Sequence, residues 1–562
     1  MARRDEPHNG GQITRRITPS GRVVLGVATA LFFVIALQQA WTDGPTFDEG
    51  FTLVGGVTAL TRHDLRIVPQ HPPLGKLVAA IPVLFLHPRI PSGRIWTAAA
   101  HHRADYTFVR VFMNGERTSG HLQRDLFAAR AVDVLEAAAV AWVIAMLGSR
   151  LFGSFAGVFG GLLWLANPFV IGIGHLDGID MPATLTVVLL ALLTLTARRD
   201  PRARFVVLAG VVGGLTILTR TTGLLMVPAA ALAVATPLLR TDWRKALLRG
   251  ATVIVLAWLT VMVAYALMAP GDIVAHSAGV ATVLKHLVVP PMWWRGTDFL
   301  YHVGNIPAPA FVLGFTNRGR WILYWPASLL VKLPPATLAV MIIGPFFIWK
   351  LPRDTRRDAA MVLLLPAALH TVFTVQQQRP IGLRYLLPAL ALWVAAATPI
   401  VAITRNVVRR ATAAVVVAGA VAASVVTPAI AWTNPLLGPG YRQAADSNLD
   451  WGQAQYALAR WSAHHHPWIQ YFGGATASDF PGARGDLRAA PPAKTVGWVA
   501  VSASSLTTWD RERLAWLRAY CPVGVLERSV LLYRFREPPD RSLVGPSQPP
   551  RPCSGSVSVR AG

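Results

Sequence analysis

Two adjacent carboxylates, Asp48 and Glu49, stand just past the first long apolar run of the chain, and polar clusters interrupt apolar sequence again at three later points. These are the stretch from His175 through Asp177 to Asp180, the Arg220-Thr221-Thr222 step, and residues 376–385, which close on Arg384-Tyr385. A positioned carboxylate can take the proton of a reacting hydroxyl, and a guanidinium can hold two oxygens of a phosphate without losing its charge. His71 and Lys76, in His71-Pro72-Pro73-Leu74-Gly75-Lys76, add two candidates for holding an anion. Ionisable groups at the edge of hydrocarbon are costly unless they pair or face water. Acids and bases drawn from distant loops onto one membrane face therefore imply an aqueous cavity.

The elements that must position these groups are membrane spans. Of the 562 residues 53% are hydrophobic and only 14% charged, which excludes a single soluble core. The formal net charge of +25 sits mainly in short Arg-rich breaks between apolar runs, such as Arg198, Arg199, Arg202 and Arg204, or Lys350, Arg353, Arg356 and Arg357. That is the positive-inside pattern of cytoplasmic loops, and no aromatic-interleaved basic platform for nucleic acid accompanies it. Cys521 and Cys553 both lie in the polar C-terminal region, and the sequence leaves open whether they pair.

Apolar runs of spanning length fall at 23–41, 126–147, 153–173, 182–197, 205–219, 222–239, 250–268, 323–349, 359–375, 385–403 and 411–432. The expected fold is an all-α polytopic membrane protein with about eleven transmembrane helices and a small C-terminal α/β domain on the extracytoplasmic side. Residues 1–22 form a basic cytoplasmic N-terminus carrying Arg3, Arg4, Arg15, Arg16 and Arg22. Residues 23–432 form the membrane domain with a long first outer loop at 42–125. Residues 433–536 form the outer domain, where 495–501 and 530–535 read as strands, and 537–562 is a Pro-rich tail expected to be disordered. With the N-terminus inside, every polar cluster of the first paragraph lies outside. A span at 74–87 would invert this order, and the placement of the Arg-rich loops argues against it.

In this order the motifs resemble a known family. Asp48-Glu49 beyond the first span, His71 to Lys76, the segment His175 to Asp180, Arg384-Tyr385-Leu386-Leu387-Pro388, and Asp446-Ser447-Asn448-Leu449-Asp450-Trp451-Gly452-Gln453 together resemble GT-C glycosyltransferases of the protein O-mannosyltransferase type, glycosyltransferase family 39, in their bacterial form. The resemblance implies a multi-pass protein of the plasma or inner membrane that takes a sugar from a polyprenyl-phosphate carrier. It transfers that sugar with inversion to an acceptor hydroxyl of a lipid, glycan or protein. It implies Asp48 as the catalytic base with Glu49 as its neighbour, and Arg384, Lys76 and His71 on the donor phosphate. His175, Asp177, Asp180, Arg220 and Tyr385 are left for substrate. No cofactor is required by these motifs; a divalent cation shared by His175, Asp177, Asp48 and Glu49 stays open, although no ligand spacing of a known metal site is present. The C-terminal region lacks the three-repeat module of the eukaryotic protein mannosyltransferases, so a protein acceptor does not follow. A flippase of lipid-linked glycans, or a membrane scaffold or sensor with a glycan-binding outer domain, is the alternative reading.

Overall fold

Thr18 opens the first helix by accepting a hydrogen bond from the Gly21 amide, with Pro19 at the first helical position where a missing N–H costs nothing. The computed structural model describes residues 16–99, 104–275, 279–403, 406–424 and 428–560. Arg3, Arg4 and Arg15, residue 405, residues 425–427 of the last apolar run, and the final two residues of the tail lie outside them.

The helices up to residue 268 are α1 (Pro19–Thr42), α2 (Glu49–Arg62), α3 (Pro73–Leu84), α4 (Arg94–Ala98), α5 (Ala104–Thr118) and α6 (Leu122–Phe152), then α7 (Ser154–Leu165), α8 (Pro168–Gly174), α9 (Asp180–Arg199), α10 (Ala203–Thr219), α11 (Gly223–Ala235) and α12 (Trp243–Met268). Among the described residues, six helices are long and apolar enough to cross a membrane: α1, α6, α9, α12, Arg353–Val375 and Leu383–Ala402. The chain is thus a multi-pass membrane protein. The pair α7 and α8, bent by 61°, makes either a seventh, broken crossing or a re-entrant loop. The break falls at Asn167-Pro168, where proline restarts the helix and Asn167 caps it through the Phe169 amide. The first ten expected runs and residues 411–424 of the last fall on helices, but α10, α11 and Pro335–Lys350 are shorter apolar helices, so among the described residues length and composition alone establish six or seven spans. Pro334-Pro335 divides the run at 323–349, and α3 is likewise a shorter apolar helix.

Glycine permits the closest helix contact. A methyl on Gly157 would run into the backbone of α6 at Ala145 and Ser149, so α7 lies directly against α6. At one end of the bundle the Arg-rich breaks meet. Asp358 accepts from Arg198 at 2.9 Å and from Arg199 at 2.7 Å, Arg249 reaches the Ala197 carbonyl, and Arg150 reaches Thr196. Thr18, at the start of α1, bonds Ser154 at the same end of the pair α6–α7.

The other end carries the loop after α1 and the C-terminal sheet. A hairpin not foreseen from sequence, β1 (Pro309–Val312) and β2 (Phe315–Arg318), turns through Leu313 and Gly314, both at positive φ as a two-residue turn requires. Beyond it, β3 (Trp468–Gln470), β4 (Gly485–Asp486), β5 (Gly497–Ser502), β6 (Gly524–Leu526) and β7 (Val530–Phe535) form one mixed sheet in the order β4-β3-β5-β7-β6. The strand-like segments at 495–501 and 530–535 are β5 and β7. The tail, expected to be disordered, is instead placed against this sheet: Cys553 is bonded to Cys521, the Ser558 amide donates to the Arg534 carbonyl, and the Asp540 amide donates to Tyr520. Pro-rich composition gives no measure of a covalent tether, which is why sequence alone suggested otherwise.

The tether spans 32 residues of sequence, and closing such a loop is worth about 4 kcal/mol of chain entropy. Reduction, or Cys521→Ser with Cys553→Ser, should lower the unfolding midpoint of the strand signal while leaving the helical signal of the bundle nearly unchanged. Circular dichroism during a thermal ramp checks this.

Candidate active site

The loop after α1 is fixed by a buried ion pair. Arg130 on α6 and Glu49 at the start of α2 are 1% and 0% exposed, and they meet in a bidentate contact: Nε to one carboxylate oxygen and Nη2 to the other, both 2.7 Å. The remaining donors of Arg130 go to the carbonyls of Ala40, Asp43 and Gly44. Glu49 also accepts from the amides of Thr46 and Asp177. Burial pushes the Glu49 carboxyl up, but Arg130 and these amides outweigh it and hold it below the ordinary range. The turn 43–48 that follows α1 is therefore fastened to α6 from both sides.

That turn places Asp48 beside Arg384. Arg384, at the start of the helix Leu383–Ala402, donates to Asp48 at 2.8 Å, to Asp180 at 3.2 Å and to Ser447 at 3.2 Å, and its guanidinium lies over the rings of Trp451 and Tyr385. Arg220 takes the other oxygen of Asp180 and also lies over Tyr385. Arg384 and Asp180 are buried, while Asp48 is 39% exposed and is the one carboxylate of this group open to an incoming molecule. Gly382 makes the approach possible, because a methyl there would overlap the Ser447 hydroxyl. Asp48, Asp180, Arg220, Arg384 and Tyr385, named from four separate stretches of sequence, thus form one group.

Other expected residues stand apart from it. Glu49 is enclosed and saturated by Arg130, so it does not act as a second open acid: each of the two neighbouring carboxylates has its own arginine. His175 is fully buried, with its ring nitrogens on the Ile171 carbonyl and the Asp43 carboxylate. Asp177 is 1% exposed and neither of its oxygens has a hydrogen-bond partner. Burial, with Glu49 and Glu136 adding and Arg130 opposing, holds it well above the ordinary carboxyl range. His175 and Asp177 thus support the loop from beneath. Lys76 is buried and donates to the Val68 carbonyl, closing the turn before α3. His71 lies close enough to Lys76, Arg220 and Arg384 that these cations add to burial in pulling it down to about 3, so it enters as a neutral hydrogen-bonding group and not as a cation. The four residues considered for a divalent cation are thereby separated into different partnerships. Among the described residues no group of three or more His, Cys, Asp or Glu is positioned to hold a metal ion.

Several participants were not singled out. Asp43, Ser447 and Trp451 carry no signal in one sequence, since an acid at a helix end and a buried Ser or Trp are ordinary. The segment 446–453 was noted only by resemblance, and it proves to be the seam between sheet and bundle. Gly44 and Phe47 donate backbone hydrogen bonds to the carbonyls of Gln453 and Trp451, and the Asn448 side chain accepts from the Leu383 amide beside Arg384. Burial pushes Asp446 up to about 6, against the Ser447 amide, Arg384 and Trp509, and pushes Asp450 up to about 7.

Residues 122–268 match the family described as dolichyl-phosphate-mannose-protein mannosyltransferase. Over that stretch, which holds His175, Asp177, Asp180 and Arg220, the resemblance to membrane glycosyltransferases of this type is shown. No curated protein matches the chain in sequence. Among solved structures, it is similar to ArnT from Cupriavidus metallidurans bound to undecaprenyl phosphate, at 14% identity over 92% of this chain and 98% of that one, with a TM-score of 0.48. It is also similar to an Archaeoglobus fulgidus oligosaccharyltransferase tethered to an acceptor peptide, at 13% identity over 80% and 57% of the two chains (TM-score 0.45). The arabinosyltransferase EmbB from Mycobacterium smegmatis aligns at 15% identity over 70% and 31% (TM-score 0.35). Alignments at this level assign no residue of this chain a role.

Arg130→Ala strands a buried carboxylate and should cost about 3–5 kcal/mol, seen as a large drop in the thermal unfolding midpoint in detergent. Arg130→Lys should recover little of it, because an ammonium cannot reproduce the fork that spans Glu49 and three carbonyls. For Asp450 the sign runs the other way: its folded value near 7 lies above the unfolded value of about 3.9, so the proton favours the folded state. Its stabilising share is complete below about pH 4 and is lost as pH rises through 7. The melting temperature should fall between pH 5 and pH 8 in the native protein, and Asp450→Asn should flatten that slope in a paired differential scan.

Proposed function

We propose that the protein is an inverting glycosyltransferase that moves a sugar from a polyprenyl-phosphate carrier to an acceptor hydroxyl on the extracytoplasmic side of the membrane. The observation that carries this reading is the contact between Asp48 and Arg384: an accessible carboxylate held 2.8 Å from a buried, aromatic-backed guanidinium at a membrane end of the bundle. Supporting it, the matching family acts, by its description, with dolichyl-phosphate-mannose, a lipid-phosphate sugar.

Each group then has a distinct task. The acceptor oxygen attacks the anomeric carbon as the bond from that carbon to the phosphate oxygen breaks. Asp48 takes the acceptor proton, and the electron pair leaves with the phosphate. Arg384, seconded by Arg220, stabilises the charge that grows on the departing phosphate; Asp180 sits between the two guanidinium groups and keeps them oriented. Neutral His71 and the Tyr385 ring line the same wall. Attack from the face opposite the leaving group inverts the anomeric centre. The N-terminus is assigned to the cytoplasm because the Arg-rich breaks gather at the bundle end away from Asp48, as the positive-inside pattern requires.

Asp48→Asn keeps the shape and a hydrogen-bond acceptor for Arg384 but removes the base. In membranes supplied with labelled polyprenyl-phosphate sugar, transfer should fall by about 10²-fold or more. Undiminished transfer overturns the assignment, and loss in Arg384→Ala with little recovery in Arg384→Lys is the matching result for the phosphate clamp.

A further inference from the structure

A row of aromatic rings leads away from the pocket into the C-terminal sheet. Phe47, the residue before Asp48, lies 6.0 Å from Phe472 with the two ring planes 5° apart. Phe472 in turn lies 6.3 Å from Trp509 at 11°. Three near-parallel rings, from the turn after α1, the segment after β3 and the helical turn Ser505–Trp509, make a stepped aromatic row beginning beside the open carboxylate. Each is held by its own backbone or polar edge: the Phe47 amide donates to the Trp451 carbonyl, the Phe472 amide to the Ser502 hydroxyl, and the Trp509 indole N–H to Asp446 at 3.2 Å. The far end is not used for packing, since Trp509 is 43% exposed. Polar groups flank it: Asp510 accepts from Gln470 at 2.8 Å and lies 3.5 Å from Arg488.

We propose that this row is the acceptor subsite and that the acceptor it takes is a saccharide, whose rings lie on Phe47, Phe472 and Trp509 with the terminal hydroxyl delivered to Asp48. The inference rests on the transferase reading and adds the acceptor class to it. A sugar ring carries a face of C–H groups and a rim of hydroxyls. A stepped aromatic row with a carboxylate, an amide and a guanidinium at its edge matches that division. A peptide acceptor fits less well. Peptides gain affinity by adding a strand to a free sheet edge, whereas Phe472 follows β3, which lies between β4 and β5. A prenyl chain fits less well too, because the row runs from the bundle into the sheet.

The test reads binding apart from transfer. Full-length protein carrying 5-fluorotryptophan is placed in lipid nanodiscs, and the Trp509 fluorine resonance is assigned as the one lost in Trp509→Phe. Mannotetraose, cellotetraose, a Ser/Thr-rich decapeptide and farnesyl phosphate are each titrated. At least one tetrasaccharide should shift the Trp509 resonance. The apparent affinity should weaken about tenfold or more in Phe472→Leu, which keeps apolar bulk but removes the ring face, and should survive in Phe472→Tyr. A resonance unmoved by either saccharide, moved only by the peptide or by farnesyl phosphate, or an affinity equal in Phe472→Leu and the native protein overturns the proposal. Should these fail while Asp48→Asn abolishes transfer, the acceptor assignment alone falls. Should saccharide bind while Asp48→Asn transfers normally, the transferase mechanism falls.

Discussion

A guanidinium and a carboxylate with no water around either one hold the loop after α1 in place. Arg130 and Glu49 are each enclosed, and each would be prohibitively costly alone. Together they bury five guanidinium donors against one carboxylate and three carbonyls, so the loop has one arrangement in which every charge is met. Because Asp48 immediately precedes Glu49 in the chain, that satisfaction sets where the open acid points. The Asp177 amide on the same carboxylate transmits the constraint to the turn before α9, and hence to Asp180.

The pocket above this latch is organised by sharing. Arg384 is divided between Asp48 and Asp180, and Asp180 between Arg384 and Arg220. Aromatic faces of Trp451 and Tyr385 complete the surroundings of the cation. A chain of alternating charges of this kind is stable without a ligand, yet it leaves one member, Asp48, partly in water. In the proposed reaction this arrangement sets the cation against the growing negative charge and the open carboxylate against the released proton.

Part of this was legible from residues alone. Helical periodicity and apolar length located the spans, and the exits of those spans named Asp48, Asp180, Arg220, Arg384 and Tyr385 as a group, because polar residues at the edge of hydrocarbon need one another. The assignments of Glu49, His175, Asp177 and Lys76 went less far. A carboxylate reads identically in sequence whether it faces a pocket or a buried arginine, and what separates Glu49 from Asp48 is the position of Arg130 eighty-one residues later. His71 offered a similar ambiguity, resolved by three cations that only the fold brings near. The hairpin at 309–318 and the tethered tail were missed for a related reason: turn geometry and a disulfide partner are properties of where the chain returns.

What the sequence by itself determined is the membrane class, the run of apolar helices, the segregation of arginine from acid along the chain, and the residue types able to move a proton or hold a phosphate. These follow from local quantities such as apolar length and charge position, each a sum over neighbours in the chain. Tertiary structure alone decided which acid is open, which is locked, how Arg384 is shared, and that three aromatic rings from distant loops line up beside Asp48. Pairing and desolvation depend on distances in space, and two carboxylates adjacent in sequence can be given opposite environments by partners that lie far along the chain.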